Sequence, residues 1–174
     1  MMDRGIITDV SHLSDGGFWD VSEISLAGHV PFIASHSCAR NLTPHTRNLT
    51  DEMLRRLGEC GGFVGVNFAP EFVGGPVVET PDNADDSAEK RRRVIRLSSV
   101  KLICDHVEHM ANIAGLEAVG IGSDFDGIGG RLEVGQPTDM VKLFDELKKR
   151  GWSDDAVEKF AYKNAERLLK ETLK

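Results

Sequence analysis

The segment AVGIGSDFDG, residues 118–127, decides the fold, because a short apolar run ends there and polar residues follow at once. Three other apolar runs have the same form, and the four together cover residues 6–10, 31–34, 63–66 and 118–121. Each run is short and shows little alternation of polar and apolar residues. Such runs are typical of strands buried on both faces of a parallel sheet.

Amphipathic stretches between the runs predict helices. Residues 51–60 follow Thr50, which we expect to be the N-cap, and they begin with acidic residues that suit the positive end of a helix. The other predicted helices cover residues 17–28, 98–114 and 138–150, one that opens at Ser153, and a last one around Leu168. Strands that alternate with helices predict an α/β fold with right-handed crossovers and a parallel sheet.

Residues 69–97 form the one long connection in this pattern, and we predict no strand or helix there. In this segment acidic residues precede a basic cluster, Lys90–Arg93. The cluster could bind phosphate, but the nearby acids favour a solvated segment whose charges compensate. A connection of this length is usually functional or disordered.

Composition excludes several classes of function. The 174 residues carry 28 acidic and 21 basic side chains, a net charge of −7, which argues against nucleic-acid binding and against anionic membrane surfaces. No apolar run reaches the roughly 18 residues of a membrane span, and the N-terminus does not have the pattern of a signal peptide. Three cysteines with no CxxC pair predict reduced thiols and a cytoplasmic location.

Polar residues follow all four predicted strands: His12, His36, Asn67 and Asp124. The carboxyl ends of parallel strands meet at one edge of a sheet, which is where α/β folds bind ligands. A single histidine in such a place is more simply a hydrogen-bonded structural residue. Two imidazoles and a carboxylate together suit Zn²⁺ or a similar divalent ion, so the sequence predicts a metal or catalytic site at this edge.

The remaining candidate residues are predicted to be structural. His106 and His109 lie three residues apart within a predicted helix, away from any strand end, and His29 and His45 suit solvated or capping positions. Cys38 lies in no GxSxG elbow and is predicted to be a small buried residue.

The glycines near Asp124 match neither a dinucleotide-binding fingerprint nor a P-loop. We expect Gly127, Gly129 and Gly130 to let the backbone turn closely around a site.

The chain resembles the zinc-dependent membrane (renal-type) dipeptidase family, including its soluble bacterial members. The matching segments are DVSHLS at 9–14, IASHS at 33–37, RNLTD at 47–51, VGVNF at 64–68, the segment at 118–127, the helix at 105–109 and the tail around Trp152. They follow the family's order over nearly the whole chain.

The resemblance implies a TIM-type (β/α)8 barrel with two zinc ions that hydrolyses dipeptides with free termini. It implies that His12 and His36 are metal ligands of one zinc. Asp124 would be the catalytic carboxylate beside the metals, which also contacts the substrate, and Arg47 would bind the substrate's C-terminal carboxylate. A guanidinium group suits that role because it binds carboxylates through two parallel hydrogen bonds.

The same resemblance also implies that part of the site is missing. The first half of the family carries a His-x-Asp pair, a bridging glutamate and a further substrate-binding histidine, and this chain has no His-x-Asp. Its length is also below the roughly 250 residues of a complete barrel. We therefore predict that residues 1–174 are a single partial domain, the C-terminal half, with strands five to eight, the C-terminal helices and at most one partial zinc site.

Three hypotheses remain. The first is a dipeptidase-family metallohydrolase half with little activity alone, which associates with itself or with a complementary N-terminal half, since a half-barrel leaves sheet edges unpaired. The second is a non-catalytic binding or scaffold remnant of the family. The third is a metal-dependent hydrolase of another amide or of a lactone-like substrate, although the match at Arg47 favours a substrate with a free carboxylate.

Overall fold

A four-stranded parallel sheet organises the computed structural model, which describes residues 5–81 and 92–173. Its strands are β1 (Thr8–Asp9), β2 (Phe32–Ser37), β3 (Phe63–Val66) and β6 (Val119–Ile121), in the spatial order β1-β2-β3-β6. Every neighbouring pair is parallel. The predicted parallel α/β arrangement is confirmed, because all four strands fall on the four apolar runs.

Helices connect the strands as predicted. They are α1 (Asp15–Gly28), α2 (Asp51–Glu59), α3 (Val100–Ala114), α4 (Met140–Lys149), α5 (Asp154–Glu158) and α6 (Asn164–Thr172), with a π-helical turn, Lys159–Lys163, between the last two. Thr50 and Ser153 cap α2 and α5, and Ser99 caps α3. Helix α1 begins earlier than predicted, because the Ser14 hydroxyl accepts a hydrogen bond from the Gly17 N–H.

Strand β2 is longer than its apolar run, which was predicted to end at Ala34. The parallel register with β3 shifts between Ala34 and Ser37, and pairing resumes at Ser37 opposite Val66. Ser35, His36 and Ser37, which were predicted to follow this strand, are therefore its last three residues. His36 lies in this irregular part of β2, where its backbone N–H donates to the Ser11 hydroxyl and its carbonyl accepts from the same hydroxyl.

The prediction of no regular structure in residues 69–97 is wrong. Strand β4 (Val77–Pro81) pairs antiparallel with β5 (Arg92–Ser98), and β5 pairs parallel with β7 (Arg131–Leu132) to form a second sheet. Interleaved arginines hid β5 from a search for apolar runs, and backbone pairing within the hairpin compensates for the weak side-chain pattern. Of the predicted basic cluster, Lys90 and Arg91 lie outside the described residues.

The core lies between the four-stranded sheet and its helices. Strand β3 is buried along its whole length, and α2 and α3 contact it and each other. The fully buried large side chains include Phe32, Val64, Val66, Leu54, Leu57, Ile103, Met110, Leu143 and Leu147. In residues 5–81 and 92–173 no helix has the length and apolar character needed to cross a membrane.

Candidate functional site

The predicted site residues gather at the carboxyl edge of the four-stranded sheet. His12 follows β1, His36 lies near the end of β2, Asn67 follows β3 and Asp124 follows β6. The parallel register carries each of them to the same edge. The role of each residue stays a prediction, but the expected convergence is present.

The two imidazoles face each other. Nε2 of His12 lies 3.0 Å from Nε2 of His36, and the ring centroids are 5.0 Å apart. His12 holds a left-handed backbone with φ of 73°, which is unfavourable for a residue with a side chain. The backbone at this edge is thus bent in a way that aims the His12 ring at His36.

Arg47 completes this side of the site. Its Nη2 lies 3.2 Å from Nε2 of His36, and its guanidinium sits 5.8 Å from the centre of the Phe72 ring. The backbone of Arg47 is held at both ends, since its carbonyl accepts from the Ser37 hydroxyl and its N–H donates to Nδ1 of His45. The His45 ring therefore supports the loop that carries Arg47.

Asp124 is held in one orientation. Its backbone is left-handed, with φ of 59°, and Oδ2 accepts a hydrogen bond of 3.1 Å from the Asn67 amide. Asn67 is fully buried, and its own oxygen accepts the Ala69 N–H at 2.6 Å, which fixes which end of the amide faces Asp124. A Cβ at Gly127 would lie 2.3 Å from Oδ1, so the predicted close turn at Gly127 is confirmed.

Asp9, Ser11 and Ser35 form a network behind His36 that the sequence reasoning missed. Oδ2 of Asp9 accepts from the Ser35 hydroxyl at 2.6 Å, and Oδ1 accepts the N–H groups of Ser35 and Ser11 at 3.0 Å each. The Ser35 oxygen in turn lies 2.8 Å from Nδ1 of His36. Asp9 was assigned to the first apolar run, but it is the last residue of β1. A carboxylate at the end of a strand was the signal that could have identified it.

The pKa of Asp9 lies below its ordinary value. Burial alone would raise it, but the hydrogen bonds from Ser35 and Ser11 stabilise the carboxylate and outweigh that effect. Asp9 is therefore ionised at neutral pH.

The pKa of His36 is also lowered. Burial is the largest cause, and the neighbouring Arg47 and His12 add to it, whereas Asp124 and Asp9 act in the opposite direction. The result is a neutral imidazole, which is the form that ligates metals.

The two histidines fit a shared metal ion in part. Two nitrogens bound to one zinc at about 2.0–2.1 Å in a tetrahedral site lie about 3.3 Å apart, close to the observed 3.0 Å. Within residues 5–81 and 92–173, no group of three or more His, Cys, Asp or Glu side chains is arranged to hold a metal. A catalytic zinc site takes about three ligands from the protein and a structural one about four, so the two histidines are an incomplete set.

The residues predicted to be structural are buried or form hydrogen bonds away from the sheet edge. His106 is 1% exposed, and its Nδ1 accepts the Ala39 N–H at 3.1 Å. His109 lies 2.7 Å from the Asp51 carboxylate. Burial raises the pKa of the Cys38 thiol to about 12, which leaves it protonated and unreactive.

Helices that alternate with parallel strands, and polar side chains gathered at the carboxyl edge, are features of α/β enzymes, a class that includes the TIM-barrel-type folds. The chain belongs to the membrane dipeptidase family, peptidase family M19, whose sequence model matches residues 1–174. This family consists of metallopeptidases, and the family and fold class predicted from the sequence are confirmed.

Relatives agree with this assignment. Dipeptidase ataJ of Aspergillus terreus is 36% identical over 169 residues, which are 97% of this chain and 36% of that protein. An uncharacterized protein in the pqqA 5′ region of Klebsiella pneumoniae is 34% identical over 162 residues, 93% of this chain and 53% of that protein.

A solved metallopeptidase from Rhodobacter sphaeroides, bound to a phosphinate mimic of the dipeptide L-Ala-D-Ala, has a similar structure. It is 32% identical, with a TM-score of 0.76, and the match covers 97% of this chain and 43% of that one. The chain therefore spans about half or less of the length of these relatives.

Proposed function

We propose that this chain supplies part of the active site of a zinc-dependent dipeptidase, as the C-terminal half of its barrel. The observation that carries the proposal is the convergence of His12, His36 and Arg47, with Nε2 of His36 within 3.2 Å of both neighbours. Similarity to a relative bound to a dipeptide mimic supports a dipeptide as the substrate.

Each residue has a role that its surroundings favour. His12 and His36 would hold one zinc ion through their Nε2 atoms. When bound, zinc lowers the pKa of a water molecule and polarises the scissile carbonyl. These two ligands leave further coordination positions to be filled from outside the described residues.

Arg47 would bind the C-terminal carboxylate of the dipeptide. Its stacking on Phe72 and its fixed backbone hold the guanidinium beside His36, so that one end of the substrate lies next to the metal ligands. This contact selects substrates with a free carboxylate and orients the peptide bond for attack.

Asp124 would move the proton. Its carboxylate accepts a proton from the attacking water and passes it to the leaving amine. The hydrogen bond from Asn67 holds Oδ2, and Oδ1 lies against Gly127, where any side chain would collide with it.

We further propose that the chain associates with a complementary half or with a second copy. In the part of the chain that the structure describes, β1 pairs only with β2 and β6 only with β3, so each has one edge without a strand. Apolar Ile6 and Leu13, 45% and 46% exposed, flank β1. Unpaired strand edges beside exposed apolar side chains favour association.

A reducing, cytoplasmic environment fits the three cysteines, none of which forms a disulfide. Cys38 and Cys104 are buried, and burial raises the pKa of both thiols to about 12.

A complementation assay tests the proposal. The chain is incubated with Zn²⁺ and L-Ala-D-Ala, alone and together with a separately expressed segment of the Rhodobacter sphaeroides relative that the chain does not match. Sedimentation measures whether the two associate. We expect chelator-sensitive hydrolysis only from the mixture. In the mixture, Arg47→Lys should raise KM about 10-fold, or about 1.4 kcal/mol, because lysine lacks the planar fork.

Arg131→Lys, an exchange at an exposed position of β7, is the matched control and should leave KM unchanged. Robust hydrolysis by the chain alone would contradict the partial site. A complex that binds zinc but does not hydrolyse dipeptides would favour the binding or scaffold hypothesis instead.

A further inference from the structure

The Ser35 hydroxyl lies at the centre of a hydrogen-bond chain that constrains where protons sit. Its oxygen is 2.6 Å from Oδ2 of Asp9, 2.8 Å from Nδ1 of His36 and 3.3 Å from the Ser11 hydroxyl. A serine hydroxyl has one hydrogen, and a carboxylate can only accept. The Ser35 hydrogen therefore points to Asp9, and Ser35 can only accept from His36, so Nδ1 of His36 carries the proton.

The contact of Nε2, the second nitrogen of the His36 ring, independently indicates the same tautomer. Nε2 of His36 lies 3.2 Å from Nη2 of Arg47. A guanidinium has donors and no acceptor. Nε2 must therefore be the unprotonated nitrogen of His36, with its lone pair directed towards Arg47 and His12.

We propose that Asp9 and Ser35 are positioning residues that hold His36 in the Nδ1–H tautomer, so that the Nε2 lone pair faces the site. The use of that lone pair for zinc rests on the proposed function. The location of the proton does not, since it follows from the donors and acceptors around the ring.

Backbone groups in and next to β1 and β2 support this chain of hydrogen bonds. Oδ1 of Asp9 accepts the backbone N–H groups of Ser11 and Ser35, which turns Oδ2 towards the Ser35 hydroxyl. The Ser11 hydroxyl accepts the His36 N–H and donates to the His36 carbonyl, so the backbone beneath the ring is held as well. Outer partners of this kind fix the tautomer of metal-ligating histidines and tune their basicity.

Ring ¹⁵N NMR of the metal-free chain at about pH 8, where exposed imidazoles are neutral, measures the tautomer directly. The resonances of His36 are identified by their loss in His36→Gln. We expect the upfield, protonated signal at Nδ1 and the downfield, unprotonated signal at Nε2. His106 is an internal reference of the opposite tautomer, because its Nδ1 accepts the Ala39 N–H.

Asp9→Asn is the decisive variant, since it keeps the shape and the acceptor for the two backbone N–H groups. The new amide donates to Ser35, which frees the Ser35 hydrogen for Nδ1 of His36. We expect the predominant His36 tautomer to change to Nε2–H. Ser35→Ala should produce the same loss of the Nδ1–H form. Ser11→Ala is the control, because it removes a neighbouring hydroxyl that makes no contact with the His36 ring nitrogens, and it should retain the Nδ1–H form.

An Nε2–H tautomer in the unmodified chain would overturn the proposal without any variant. So would an unchanged tautomer in Asp9→Asn when the backbone spectrum shows a retained fold. A chain that holds His36 as Nδ1–H, while its mixture with the complementary segment neither binds zinc nor hydrolyses dipeptides, would overturn the proposed function and leave this inference intact.

Discussion

Two pairs of histidines in this chain differ in how their nitrogens are used. His106 and His109 lie on α3, where buried or partly buried partners occupy the ring nitrogens: the Ala39 N–H for one and the Asp51 carboxylate for the other. His12 and His36 lie at the sheet edge, where the Nε2 atoms face each other. The first pair connects elements of the fold, and the second directs its Nε2 atoms to a common point.

The difference shows which property separates a structural histidine from a candidate ligand. The effect of burial does not, because burial is the largest cause of the lowered pKa in both His36 and His106. The distinguishing property is what the ring nitrogens contact: a backbone N–H and a carboxylate of other elements for the pair on α3, and each other's Nε2 atoms for the pair at the sheet edge. Substitutions should therefore affect stability at α3 and ligand binding at the sheet edge.

The largest expected effect is on the free energy of unfolding. His106→Ala leaves the buried Ala39 N–H without an acceptor and opens a cavity, so we expect a loss of about 3–4 kcal/mol. His36→Ala removes a partly exposed ring at the sheet edge and should cost about 1 kcal/mol or less. Urea denaturation measures both. Equal losses for the two variants would contradict the division between a structural and a functional pair.

The next effect is the pH dependence of stability that arises from His106. Burial lowers the pKa of His106 to about 4 in the folded chain, against about 6.5 when unfolded. Because the unfolded state binds the proton more readily, this stability is fully present above pH 6.5 and is lost as the pH falls towards 4. The loss amounts to about 3 kcal/mol.

The matched variant for this measurement is His106→Gln, which keeps an acceptor for the Ala39 N–H but does not titrate. The difference in unfolding free energy between the chain and His106→Gln should shrink between pH 6.5 and 4, and taking this difference removes contributions from other groups. A difference that stays constant with pH would show that His106 does not titrate as its burial requires.

Much of the fold was predictable because local patterns agree with it. The four central strands are apolar runs, and Thr50 and Ser153 cap the helices they precede. The β4–β5 hairpin was not predictable, because its pairing depends on the partner strand rather than on the side-chain pattern of either. The end of β2 was missed for a related reason, since a register shift extends pairing into polar residues.

The candidate site divides in the same way. His12, His36 and Asp124 could be predicted, since their positions follow from strand ends alone. The hydrogen bond from Asn67 to Asp124 and the support of His36 by Asp9 depend on which strands become neighbours. These contacts join residues about 25 or more positions apart in the sequence. They depend on the order of strands in the sheet, which the spacing of residues in the sequence does not predict.

The smallest effect, and the one that tests the sheet-edge pair itself, is stabilisation by zinc. A ligand that binds only the folded chain stabilises it by about 1.4 kcal/mol at ten times its Kd. We expect this gain for the unmodified chain in urea denaturation, with the Kd taken from a zinc titration. We expect it to disappear in His12→Ala and in His36→Ala, because each removes one of the two facing Nε2 atoms.

His109→Ala is the control that completes the comparison. It also removes an imidazole beside a carboxylate, and its loss of the contact with Asp51 should cost less than about 1 kcal/mol. If the structural pair takes no part in binding, the zinc-induced gain in His109→Ala equals that of the unmodified chain. A gain that falls equally in all three variants would mean that zinc binds histidines indiscriminately, and the two pairs would then not differ in the way their hydrogen bonds indicate.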